Sequence, residues 1–301
     1  MLSIDDFKKI DFNDKHVFDN HYQRFPPNHS SDLFTTMVSW GEYVEYLYVL
    51  IENSIIILSK VNNDMILHPP SGKFNLDLTK QVLNLAIKEN MTIGFIKKIE
   101  KNLLSLHFPT LMFLEDRDYF DYVYRASDLA ELSGTKYGKI RNRLNKFTKN
   151  FAHITEEISE KNIDEVNDFL KRWCLWKDCG SNELLENERK AIIYLMSHYF
   201  DFGLKGLALR ISGTIQAIAV YEKMNADTVV IHFEKGSPDF DGIYKAINME
   251  TAQRVRHFVP YINREEDLGI PGLRKAKLSY HPDHFVEIYN ISKESLRATV
   301  L

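Results

Sequence analysis

A chain of 301 residues that is 44% hydrophobic and 12% aromatic can bury a sizeable core, and its length suits one large domain or two of about 150 residues each. A formal net charge of −4 excludes a molecule coated in basic surface, so any contact with nucleic acid has to be local. The two cysteines, Cys174 and Cys179, lack a paired CxxC pattern and sit in a helical stretch, which predicts reduced structural thiols rather than a disulfide framework or a zinc site.

The N-terminal "MLSIDDFKKIDFNDKHVF" carries acids from position 5 and no apolar core of the kind an export signal needs, so a cytoplasmic location is expected. The most apolar stretch, "YVEYLYVLIENSIIILSK" (43–60), is interrupted by Glu45 and by the turn-like "ENS"; it predicts a β-hairpin, not a membrane span. Strands are expected at 33–39, 43–51, 54–61 and 64–68, then the loop "PPSG" (69–72) and a helix over 76–90. A strand at 92–96, a short helix near 97–105 and strands at 110–115 and 120–125 follow. Next comes "SGTKYGKIRNRLNKFTKNF", whose window 135–149 holds Lys136, Lys139, Arg141, Arg143, Lys146 and Lys149 and no acid. On a helix, Tyr137, Ile140, Leu144 and Phe147 form one apolar stripe, with Lys136, Lys139, Arg143 and Lys146 beside it. Like charges with no acid to offset them favour an anionic partner over a merely solvated face.

The second half opens with a strand at 151–158 and helices over 161–176 and 183–200. Three strands follow at 206–211, 214–223 and 228–235, joined by the tight turns "SG" and "MNAD". After "GSPDFDG" a helix from about 243 to 257 is apolar round most of its circumference, which predicts burial. A short strand at 259–262, a short helix near 272–278 and a strand at 284–291 close the chain.

The order β-α-α-β-β-β-α-β-α-β resembles the Gcn5-related N-acetyltransferase superfamily, and the first half repeats it more faintly. The expectation is an α+β protein of two tandem acyl-CoA N-acyltransferase-like domains: 1–127, a basic connecting helix at 128–150, and 151–301. In that superfamily the last hairpin-linked strand splays from its parallel neighbour, and the resemblance implies an acyl donor in the wedge. The three blocks "LSGTKYGKIRNRLNKF", "HFEKGSPDFDGIYKAIN" and "YINREEDLGIPGLRKAKLSYHPDHF" further resemble the phosphatidylglycerol lysyltransferase C-terminal-like family. That likeness implies kinship with enzymes that move an aminoacyl group from aminoacyl-tRNA to a lipid or a peptide. The implied donor is aminoacyl-tRNA or acyl-CoA. The implied partners are tRNA, a small-molecule acyl donor, or anionic lipid met peripherally at the inner membrane face. The alternatives are an acyl-CoA-dependent N-acyltransferase and a non-catalytic module binding tRNA or anionic lipid.

Alternation along 228–235 puts His232 and Glu234 on one face, as candidate bases for an attacking amine or hydroxyl, or for Glu234 as the seat of an amino acid's ammonium; the plainer reading of Glu234 is an ion pair. Lys235, Gly236, Gly242 and Tyr244 border a loop before the buried helix, where free N–H groups suit a phosphate, unless Asp239 or Asp241 merely caps the helix. Arg264, Arg274, Lys275 and Lys277 are further candidates for donor phosphates, with Glu265 and Asp267 as supporting carboxylates. The plainer alternative is an ion-pair cluster that fixes the lobe. "HPDH" (281–284) lacks a third ligand, and no metal is expected.

Overall fold

The computed structural model describes residues 2–299 and divides them into two compact units. One comprises the chain up to Phe120 together with the segment from Val286 onward; the other is Asp121–Phe285. Each is built on its own seven-stranded mixed sheet, so the protein is α+β with two tandem units, as the sequence predicts.

In the first unit the strands run in the order Lys8–Lys9, Glu45–Ile51, Ser54–Val61, Asp64–Leu67, Thr92–Lys97, Ile288–Ile291, Leu114–Glu115. The apolar run 43–60 is indeed a hairpin, turning through Glu52 in a left-handed conformation (φ 56°). Ile55, Ile56, Ile57 and Leu58 are all buried, which identifies this strand as covered on both faces. The helix Leu76–Lys88 starts where Asn75 accepts the Leu78 N–H at 3.1 Å, and it lays Leu78, Val82, Leu83 and Ala86 on the sheet. Residues 33–39, expected as a strand, form the helix Phe34–Ser39 instead. Phe34, Met37 and Val38 do recur at i, i+3, i+4, but six residues are too few for that helical period to stand out from a strand's. The strand expected at 110–115 shrinks to Leu114–Glu115.

The domain boundaries need correction. The expected strand 284–291 is divided: His284–Val286 edges the second sheet, while Ile288–Ile291 pairs antiparallel with Thr92–Lys97 in the first (Ile288↔Lys97, Tyr289↔Ile96). Asp121–Arg125 in turn joins the second sheet beside Tyr261–Asn263 (Tyr261↔Arg125). A strand's pattern records that it is covered but not by which sheet, so boundaries at 127 and 151 could not be read locally. The basic helix, Gly138–Asn150, is likewise no connector: Ile140, Leu144 and Phe147 belong to the core of the second unit with Ile243, Ala246 and Ile247.

The second sheet runs His284–Val286, Asp121–Arg125, Tyr261–Asn263, Thr228–Gly236, Thr214–Lys223, Lys205–Ile211, His153–Glu157. The helix Ile163–Lys177 ends at Asp178 in a left-handed turn (φ 48°), which folds the chain back and brings Cys179 beside Cys174. The two are joined as a disulfide with Cα atoms 5.4 Å apart, contrary to the expectation of free thiols. Among the described residues no helix is long and apolar enough to cross a membrane.

Candidate functional site

Thr228–Gly236 and Tyr261–Asn263 are parallel neighbours, but they pair only at Thr228↔Tyr261, Val229↔Ile262 and Val230↔Asn263. Beyond that point the two backbones part. The longer strand continues to Gly236, held from its other side by Thr214–Lys223 (Ala219↔Glu234, Ala217↔Gly236). The other arm turns away from it through Arg264 and Glu265, which stay hydrogen-bonded to the Tyr122 backbone on the far side; Glu265 is left-handed (φ 57°), with its N–H given to the Asn263 side chain at 2.7 Å. The result is a wedge whose arms carry His232 and Glu234 on one side and Arg264 and Glu265 on the other.

Inside it the charges are matched across the gap. Arg264 Nη2 lies 2.5 Å from Glu234 Oε2, and Asn248 Nδ2, on the helix Ile243–Val255 behind, donates to Glu234 Oε1 at 2.9 Å. The ion pair foreseen as the plain alternative for Glu234 is therefore made. His232 sits between two carboxylates, Nε2 at 2.9 Å from Glu222 and Nδ1 at 3.2 Å from Glu265, with 4% of its side chain exposed. Burial alone would push the imidazole down, but bonds to Glu222 and Glu265 raise it to about 10. His232 keeps its proton at neutral pH, which corrects its candidacy as a general base. Two polar atoms of this cluster are buried without a partner: Arg264 Nη1 and Asn248 Oδ1.

The other expected cations are largely occupied. Lys235 is buried against Glu188 (2.7 Å) and the Trp173 ring (4.1 Å). Lys277, also buried, caps the backbone carbonyls of Arg264 (2.6 Å), Glu265 (3.1 Å) and Glu266, and so holds the second arm in shape rather than meeting a phosphate. Arg274 forks onto the buried Asp267 at 2.9 and 2.7 Å, and Tyr122 donates to the same carboxylate at 2.5 Å. Desolvation opposes ionisation of Asp267, yet the bonds from Arg274, Tyr122 and the Gly269 N–H hold it down at about 2. Glu265 and Asp267 thus do not act as one pair of supports: the first faces His232, the second Arg274. Lys275 is exposed on the helix Pro271–Leu278.

At the mouth, Gly236 and Gly242 earn their place by close approach. A Cβ on Gly236 would meet Ile243 Cγ2 at 2.8 Å, and one on Gly242, already at φ +99°, would meet Phe147 Cβ at 2.9 Å and Arg143 O at 3.0 Å. Neither Asp239 nor Asp241 caps the helix Ile243–Val255, which starts with no side-chain cap. Asp241 instead binds Arg143 (3.1 Å) and Lys146 (3.5 Å), so the basic helix runs beside the loop. The Trp173 indole N–H donates to the Tyr244 hydroxyl at 3.2 Å. Arg141 is turned onto the Leu132 and Gly134 carbonyls, and Lys136 pairs with Asp128 at 3.4 Å, while Lys139 and Lys149 stay exposed. Partners absent from the local window thus offset part of the basic run.

The sequence missed Asn248, Glu222, Lys245 and Tyr280. Lys245 Nζ lies 4.5 Å from the Tyr280 ring centroid, and burial, with Arg264 nearby, pushes its ammonium down to about 8. A polar Asn248 in a helix apolar almost all round was the available signal, because a buried amide demands partners. In the "HPDH" stretch, His281 meets the Lys136 carbonyl at 3.2 Å and His284 meets Asp283 at 2.9 Å. No group of three or more histidines, cysteines and carboxylates able to hold a metal ion occurs among the described residues.

One protein family, described as phosphatidylglycerol lysyltransferase, C-terminal, matches the chain over residues 22–292. A conserved protein of unknown function from Bacteroides thetaiotaomicron VPI-5482 is 32% identical, with a TM-score of 0.86 over 95% of this chain and 98% of that one. L-PGS from Bacillus licheniformis shares the fold at 16% identity, with a TM-score of 0.62 over 92% of this chain and 91% of that one. An uncharacterized protein of Mycoplasmoides gallisepticum is 24% identical over 171 residues, 56% of this chain. The match spans about half (54%) of that curated relative's length.

Proposed function

Because the chain belongs to the phosphatidylglycerol lysyltransferase C-terminal family, we propose that it is a transferase of the aminoacyl kind, working in the wedge of its second unit. The observation that carries this reading is the pair of buried, unpartnered atoms on either side of Glu234. Arg264 Nη1 is a donor and Asn248 Oδ1 an acceptor, in a cleft where the sheet itself has opened. A buried donor and a buried acceptor left open beside a carboxylate suit a ligand bearing both a carbonyl oxygen and an ammonium, as an aminoacyl ester does.

In this reading the donor is aminoacyl-tRNA. Its phosphates run along the basic helix, whose exposed lysines lie beside the loop at the start of the helix Ile243–Val255, an N-terminus without a side-chain cap. An acceptor hydroxyl or amine attacks the ester carbonyl, a new C–O or C–N bond forms, and the bond to the ribose oxygen breaks. Arg264 Nη1 donates to the carbonyl oxygen as charge gathers on it. Glu234 takes the acceptor's proton and passes it to the ribose oxygen as that bond breaks, which returns the carboxylate to its starting state. His232 holds the first arm by its two carboxylates and acts as a cation throughout.

A second reading, a non-catalytic module for tRNA or anionic lipid, draws on the internal pairing of Lys235, Arg274 and Lys277. The experiment that separates the two supplies tRNA charged with a radiolabelled amino acid and phosphatidylglycerol vesicles, with labelled acetyl-coenzyme A as a parallel donor. Label should leave the tRNA for the acceptor, and Glu234→Gln should cut the rate by roughly a hundredfold while tRNA binding is retained. Binding of charged tRNA with no transfer by the unaltered chain would favour the second reading, and transfer only from coenzyme A would replace the donor.

A further inference from the structure

A second cavity of about 970 Å³ lies at the other end of the same sheet. Val229 at the start of one wedge strand, Tyr221 near the end of the next, and Lys205 and Gly206 at the start of the third all border it. It therefore shares no residue with the wedge, which opens beyond Val230. Its walls carry four aromatic rings: Tyr199, Phe200, Tyr221 and Phe258. Phe200 and Phe258 stand 50% and 54% exposed at the surface, an unusual cost for two phenylalanines on one rim.

Two polar features accompany the rings. Tyr199 is 2% exposed and its hydroxyl is buried with no hydrogen-bond partner, close to the backbone of Gly206, where a Cβ would come within 3.3 Å of it. A buried hydroxyl in a folded chain ordinarily finds a partner, so this one leaves a place for an acceptor oxygen or nitrogen. The rim is cationic: Lys161, Lys205, Lys223 and Arg254 against Glu157 and Glu160. Arg254 pairs with Glu157, whereas the three lysines are exposed and pair with no carboxylate among the described residues.

We infer that this cavity binds a flat aromatic organic phosphate of nucleotide size, its ring against the Phe200 and Phe258 side, its carbonyl or ring nitrogen on Tyr199, and its phosphate on Lys205 and Lys223. A volume of this order is that of a small-molecule site. Base-on-ring stacking tolerates many sequences, and lysines recognise the phosphate by charge. A single-chain lipid anion fits less well, because an alkyl tail laid over Tyr199 would leave its hydroxyl as unpaired as before.

The test uses the full chain and isothermal titration with uridine and guanosine 5′-monophosphates. Uridine, inorganic phosphate and oleate are the comparison ligands. The nucleotides should bind roughly tenfold or more tightly than uridine or phosphate alone. Lys205→Gln with Lys223→Gln should erase that advantage over uridine. Tyr199→Phe should weaken nucleotide binding by roughly fivefold to tenfold while leaving the melting temperature unchanged or higher, since the hydroxyl has no partner to lose in the free chain. No nucleotide binding, equal binding of uridine and its monophosphate, binding of oleate alone, or binding that ignores all three substitutions would each overturn the assignment.

Discussion

His232 shows how a residue that looks catalytic in a strand becomes a fixed cation once Glu222 and Glu265 close on it. Its pKa in the folded chain is about 10 against 6.5 for the free side chain, so the stabilisation it brings is complete below pH 6.5 and is lost as the pH rises through about 10. Unfolding free energy measured with urea should fall across that interval. His232→Gln should cost roughly 3 kcal/mol at neutral pH and flatten the fall. An unchanged slope in the variant would mean that another group titrates. Asp267 works in the opposite direction: held at about 2 against 3.8, it stabilises the fold above pH 3.8, and that contribution disappears as the pH drops through about 2. Arg274→Ala removes both guanidinium bonds from this buried carboxylate, so it should lower stability by about 3 kcal/mol and move acid unfolding to higher pH. A melting temperature that does not move, together with weaker donor binding, would return Arg274 to the role of phosphate ligand.

At the scale of elements, the basic helix Gly138–Asn150 carries two jobs on two faces. Its buried Ile140, Leu144 and Phe147 pack the second unit, and Phe147 comes so near Gly242 that the loop has no room for a side chain. Gly242→Ala should cost roughly 1–3 kcal/mol through both φ and contact, visible as a lower melting temperature. The other face is a graded one. Arg141 and Lys136 are engaged locally and Arg143 and Lys146 share Asp241, so the charge open to an anion sits on Lys139 and Lys149. Replacing these two by Gln should lower the salt slope of tRNA binding by about one to two units. A slope that stays the same would make the helix packing alone.

The whole molecule is two sheets that exchange chain segments: Asp121–Arg125 completes the second, and Ile288–Ile291 lies inside the first, between Thr92–Lys97 and Leu114–Glu115. Ending the chain after Asp283 would remove an interior strand from the first sheet but only an edge strand from the second. Hydrogen exchange should then show Thr92–Lys97 unprotected and Thr214–Gly236 still protected. Protection retained at Thr92–Lys97 would mean that the first unit stands without its last strand.

What the sequence determined by itself was local. The hairpin at 43–60, the three strands before the helix Ile243–Val255, and the buried stripe of the basic helix each follow from a period or a turn that a short window contains. The helix Phe34–Ser39 escaped because six residues make less than two turns, too few for a helical period to be told from a strand's. Tertiary structure alone decided which sheet took each terminal strand. It also decided the disulfide, which depends on a left-handed turn at Asp178, and the state of every charge in the wedge. Glu222, Asn248 and Glu265 lie far from one another in sequence, and an ionisable group's protonation depends on the burial and partners that only the fold supplies.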